Sequence, residues 1–88
     1  MEYQISLTDR FRKNYKFLST NEKKQTNKKL ALLAKNPLHS SLRSKRIQGT
    51  TDLFECSVNM DIRIIWCYQE QRIIILLDIG HHDILKKL

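Results

Sequence analysis

With 88 residues, 41% of them hydrophobic and 28% charged, the chain has the make-up of one small globular domain spanning residues 1–88, not of a disordered segment. Sixteen Lys and Arg against nine Asp and Glu leave a net charge of +7, which points to a polyanionic partner such as nucleic acid, an acidic protein or a membrane surface. Two cysteines without CxxC spacing and a pair of adjacent histidines fit none of the usual zinc patterns, so no metal or cofactor is expected.

The opening residues "MEYQISLTDRF" hold no apolar signal region, and no apolar run approaches the roughly 20 residues that cross a membrane. A cytoplasmic protein with no membrane contact is therefore expected. Tyr3, Ile5 and Leu7 alternate with polar residues, the period of a short strand with one buried face. Thr8 suits a helix N-cap. Phe11, Tyr15 and Leu18 follow at i, i+4 and i+7, which predicts a helix over roughly residues 8–18. Ser19 and Glu22 have the spacing of a capping box, so a second helix begins at once and runs to Lys35, where Asn36-Pro37 stops it. Its first half is polar all round, and Leu30, Leu32 and Leu33 crowd its second half.

Residues 38–52 read as a basic connector in which Arg43, Lys45 and Arg46 cluster ahead of Gly49. Three strand-like runs follow: Leu53–Asn59, Ile62–Gln69 and Arg72–Ile79. The "NMD" and "QEQ" between them are short enough for hairpins. Gly80 is expected to break the last strand, leaving residues 83–88 as a helical turn or tail. Cys56 and Cys67, both inside apolar runs, read as buried free thiols. The predicted order is β-α-α-β-β-β, an α+β fold in which an N-terminal strand and a helical hairpin lie on a curled antiparallel sheet, with the sheet's other face left for a ligand.

Three features carry candidate chemistry. Arg63 interrupts the apolar "DIRIIW". By residue type alone it is either a solvent-facing edge charge or a guanidinium fork held rigid for a phosphate. The basic cluster of Arg43, Lys45 and Arg46 reads either as a solvated loop or as a set of phosphate-backbone contacts. His81 and His82 follow Gly80 at a strand end, where a histidine serves as a cap or as a group that exchanges protons near neutrality. A basic groove, a rigid Arg and a His together describe metal-free RNA cleavage by the RNA's own 2′-hydroxyl.

The stretches "LFECSVNMDIRIIW", "IIILLDIGHHDIL" and, ahead of them, "KRIQG" resemble the RelE/ParE superfamily of toxins from type II toxin–antitoxin systems. The first is similar to the superfamily's paired strands with an embedded Arg. The second is similar to its last strand and G-x-H-x-x-L ending. In the RelE-like branch the resemblance implies a ribosome-dependent mRNA endoribonuclease held in check by an acidic antitoxin protein. It implies catalytic roles for Arg63, for His82 as general acid and for Asp61, with Arg43, Lys45, Arg46 and His81 contacting RNA. Two departures stand out: Ser57 occupies a position where many members carry Arg or His, and the tyrosine that some members have near the C-terminus is missing. ParE-like members inhibit DNA gyrase without nuclease activity, so gyrase inhibition is the alternative, with a degenerate toxin that only binds its antitoxin as a third reading.

Overall fold

The computed structural model describes residues 2–70 and 72–81; the expectations for His82 and for residues 83–88 lie outside the described residues. Chain order is β1 (Gln4–Leu7), α1 (Asp9–Tyr15), α2 (Thr20–Lys35), a single 3₁₀ turn (Ser40–Leu42), β2 (Lys45–Arg46), β3 (Phe54–Ser57), β4 (Ile62–Gln69) and β5 (Ile73–His81). The strands form one sheet in the order β1-β5-β4-β3-β2. Helices and sheet make the expected α+β architecture, with two additions to it. β1 joins the sheet parallel to β5, pairing Gln4 with Ile73 and Leu7 with Leu76. The basic connector also contributes a strand, because Lys45 and Arg46 pair antiparallel with Glu55 and Phe54.

Local signals set the helices. Thr8 caps α1 by accepting a hydrogen bond from the Phe11 N–H at 3.2 Å, and its hydroxyl also donates to the Leu76 carbonyl at 2.8 Å, tying the helix start to β5. α1 ends at Tyr15, short of Leu18, since Lys16–Leu18 turn toward the next cap. At Ser19 the capping box is complete: its hydroxyl accepts from the Glu22 N–H, and the Glu22 carboxylate accepts from the Ser19 N–H at 2.8 Å. α2 stops at Lys35, before Asn36-Pro37. Its polar half is not exposed all round, because Thr26 is fully buried beneath it.

The core lies between the helices and one face of the sheet. Phe11 and Leu33 meet Ile62, Ile64, Trp66, Ile74, Leu76 and Ile79, with Leu42 of the 3₁₀ turn closing the side. Burial of each such side chain contributes about 1.5–3 kcal/mol. The second face is not simply open. Residues 47–53 fold over part of it, and Ile47 and Leu53 cover Ile65 and Leu77.

β5 does not end at Gly80. It continues to His81, because β4 offers two further rungs, Arg63 opposite Gly80 and Ile62 opposite His81. A register shift at Ile65/Trp66 adds local twist to the β4–β5 ladder.

Candidate functional site

The turn from β3 to β4, Asn59–Asp61, is organised by one side chain. Asn59 Oδ1 accepts from the N–H groups of Asp61 at 2.8 Å and Ile62 at 2.7 Å, while Asn59 Nδ2 donates to Gln25 Oε1 of α2 at 2.7 Å. The turn is thereby closed on itself and fastened to the helix layer.

Arg63 stands two residues into β4, half-buried, opposite Ser57 on one side and Gly80 on the other. Its Nη1 donates to the Asn59 carbonyl at 2.7 Å and the Ile62 carbonyl at 3.2 Å. Its Nε and Nη2 make no hydrogen bond within the described residues. The guanidinium is therefore fixed on one side and free to bind an anion on the other. A serine opposite and a glycine beside it leave room that larger side chains would fill.

Arg63 lines a small polar cleft of about 190 Å³ together with Ser57, Asn59 and Met60 of the hairpin, Ser41 and Arg43 of the 3₁₀ turn, and Lys29 of α2. Arg43 caps that turn with φ +50°, in the left-handed region that costs an ordinary residue about 1–2 kcal/mol. Backbone strain of this kind gathers at functional positions. Lys29 Nζ reaches the Ser41 carbonyl at 3.3 Å. Among the described residues three cations and no carboxylate line this cleft, an arrangement suited to phosphate oxygens.

The other predicted residues are placed differently. Asp61 and His81 are brought together: His81 Nδ1 lies 2.8 Å from Asp61 Oδ2, with both side chains more than half exposed. Lys45 and Arg46 do not join the cleft lining. As neighbours on a strand they point to opposite faces. Lys45 pairs with Glu55 Oε1 at 3.4 Å, and the Arg46 guanidinium sits over the Phe54 ring at 5.4 Å.

Sequence reasoning passed over Lys29, Asn59 and Glu55. Lys29 looked like one of many helix lysines, and only the fold brings it to the hairpin. Asn59 was legible as a turn residue, though its grip on Arg63's anchor was not. Glu55 is 94% buried on the strand face that also holds Ser57, and its Oε2 has no hydrogen-bond partner among the described residues, a rare state for a buried carboxylate. Behind it, burial first and then the Glu55 charge push the Cys56 thiol up to about 12, so this cysteine is an inert core residue. No three His, Cys, Asp or Glu side chains among the described residues converge where a metal ion would sit.

A second concavity, of about 490 Å³, runs between α1 and α2. Leu7, Phe11, Tyr15 and Leu30 form its floor, and Arg12, Lys16 and Lys23 stand at its rim.

The profile of a family described as a bacterial toxin of type II toxin–antitoxin system, YafQ, matches residues 3–87. The chain belongs to that family. No curated protein sequence matches closely enough to count as a relative. Among solved structures, YafQ from Escherichia coli strain BL21(DE3) is 18% identical, with 96% of this chain and 98% of that one covered at a TM-score of 0.76. YafQ in the E. coli DinJ–YafQ toxin–antitoxin complex is 17% identical over 93% and 94%, with a TM-score of 0.75. The archaeal RelE–RelB complex from Pyrococcus horikoshii OT3 is 18% identical over 92% and 96%, with a TM-score of 0.77. At these identities the likeness to the YafQ and RelE structures is one of fold, and the toxin family rests on the profile.

Proposed function

We propose that this YafQ-family toxin is a ribosome-dependent mRNA endoribonuclease that needs no metal and uses the RNA 2′-hydroxyl as nucleophile. One observation carries the reading. The Arg63 guanidinium is held by Nη1 on two backbone carbonyls, and its remaining donors are uncommitted in a cleft whose other cations are Arg43 and Lys29. A fixed, always-charged fork stabilises the phosphorane that forms when the 2′-oxygen attacks, and it does so without moving a proton. Arg43 and Lys29 hold the neighbouring phosphates, and Lys45, on the Glu55 face of β2, extends the basic approach. His82 supplies the proton for the departing 5′-oxygen, and His81 contacts the RNA beside it.

The partner we propose is an acidic antitoxin, since the toxins of this family act in toxin–antitoxin pairs. An amphipathic helix with carboxylates along its flanks suits the groove between α1 and α2, whose floor is apolar and whose rim carries three cations. Parallel assays of ribosome-bound mRNA cleavage and of gyrase supercoiling test the reading. Cleavage by the wild type, lost on Arg63→Ala, supports it. Inhibited supercoiling without cleavage overturns it in favour of gyrase inhibition.

A further inference from the structure

Within the basic cluster ahead of Gly49, Arg46 stands apart from the cleft, on the opposite side of β2 from Lys45 and over the Phe54 ring. Arg46 is the direct partner of Phe54 across β2 and β3, and Phe54 is the partner of Trp66 across β3 and β4. The three side chains therefore form one row across the sheet. The Phe54 and Trp66 rings stack with their centroids 4.7 Å apart and 16° between their planes, and Arg46 Cζ continues the column 5.4 Å from the Phe54 centroid. Tyr68 meets both rings edge to face, at 5.5 Å and 5.0 Å, and braces them. Trp66 is fully buried, Phe54 half-buried and Arg46 exposed, so the column runs from the core to the surface. It ends at the sheet's edge, because β2 is the last strand. Among the described residues Arg46 makes no hydrogen bond and no ion pair, and its contact is the ring beneath it.

The geometry points to the outer face of Arg46 as a stacking site for an unpaired RNA base. A guanidinium is planar, always charged and weakly hydrated, so it rests on Phe54 with one face and accepts a second planar group on the other. The rings behind it fix the position of that plane, so little freedom is lost when a base arrives. An acidic peptide would use the charge and leave the plane idle. Single-stranded RNA matches both parts, with a base for the plane and a phosphate beside it for the free N–H donors. A duplex keeps its base faces inside its own stack, so the ligand is an unpaired strand. The net charge of +7 favours such a polyanion. Arg63, opposite Ser57, lies on the other face of the sheet from Phe54, and the stacking site does not depend on the nuclease reading.

A short single-stranded RNA with 2′-O-methyl groups throughout cannot be cut by its own 2′-oxygen, so it reports binding alone. Its affinity for the whole chain is measured by fluorescence anisotropy beside that of an equally long backbone without bases. Arg46→Lys keeps the charge and loses the plane. On the base-bearing strand it is expected to bind about 5–150-fold more weakly than the wild type, the range for one stacked base. On the backbone without bases the two proteins should agree within about twofold, since only the charge is read there. Phe54→Leu, which removes the ring under the guanidinium, should shift affinity in the same selective way. Equal affinity of Arg46→Lys and wild type for the base-bearing strand overturns the site. Equal weakening on both ligands also overturns it, leaving Arg46 a phosphate contact, and so does a wild type that binds neither. Antitoxin binding lost in Arg46→Lys while RNA binding holds would assign the column to the protein partner instead. A thermal melt of each variant confirms that it is folded. None of these outcomes alters the cleavage and supercoiling assays that decide the nuclease reading.

Discussion

Replacing Arg63 by alanine removes two hydrogen bonds from Nη1, one of 2.7 Å to the Asn59 carbonyl and one of 3.2 Å to the Ile62 carbonyl. A hydrogen bond to a charged group contributes about 1.5–3 kcal/mol when well formed and buried. Here the guanidinium is half-buried, the second bond is long, and water can reach the carbonyls of a surface turn, so the sum comes to about 1–2 kcal/mol. For a domain of this size each kcal/mol moves Tm by about 4–8 °C, which puts the expected fall at about 5–15 °C. A domain stable by about 5–15 kcal/mol survives that loss. Cleavage, assayed well below the variant's own Tm, should nonetheless drop by about 10²-fold or more, because the charge meeting the phosphorane has gone. Arg63→Lys should recover little of it, since an ammonium cannot both hold the turn and present a planar fork. The measurements are a thermal melt by circular dichroism and single-turnover cleavage on the same preparations. A variant that melts lower yet cleaves at the wild-type rate when folded makes Arg63 a structural residue and refutes the reasoning.

Arg43→Gly should raise stability or leave it within about 1 kcal/mol, because glycine accepts φ +50° without strain, while RNA cleavage falls with the lost charge; a marked drop in Tm would contradict this. Association with the antitoxin should slow steeply as salt rises, and Leu30→Glu in the groove floor should weaken it at least tenfold by titration calorimetry; affinity unchanged in that variant would place the partner elsewhere. Cys56, raised to about 12, holds its proton in the fold at pH values where an unfolded thiol gives it up. The stability this contributes is complete below about pH 9 and is lost as pH rises toward 12. Cys56→Ala should flatten that alkaline decline in urea melts, and in the native wild type only the less buried Cys67 should react readily with a thiol reagent.

Much of the fold was legible because its determinants are local. Thr8, the Ser19–Glu22 box and Asn36-Pro37 each act within four residues of themselves, so a reader of the sequence can place the helices from them. The bounds of β4 follow in the same way from its apolar run between two turns. What could not be read depends on chain segments far apart. Two basic residues in a row, Lys45 and Arg46, look like one patch until β2 pairs with β3 and sends them to opposite faces. Gly80 looks like a strand breaker until Arg63 supplies its rung. The cleft has the same origin. Arg63 and Arg43 stood out as charges in unusual places, but Lys29 becomes a candidate only when α2 is folded against the hairpin.

The parallel pairing of β1 with β5 also governs when the molecule can exist at all. The Thr8 hydroxyl that starts α1 bonds to the Leu76 carbonyl, 68 positions along the chain, and every rung of β1 waits for residues 73–76. Contacts so distant along the chain form late and slowly. A polypeptide emerging from its own ribosome can therefore curl the α1–α2 hairpin and the β3–β4 turn early, but it cannot seat its first strand until β5 has been made. The His81–Asp61 pair waits for the same strand. Synthesis thus finishes the residues of the cationic cleft, the last of them Arg63, before it makes the strand that seats β1, and the fold has a built-in delay between the two.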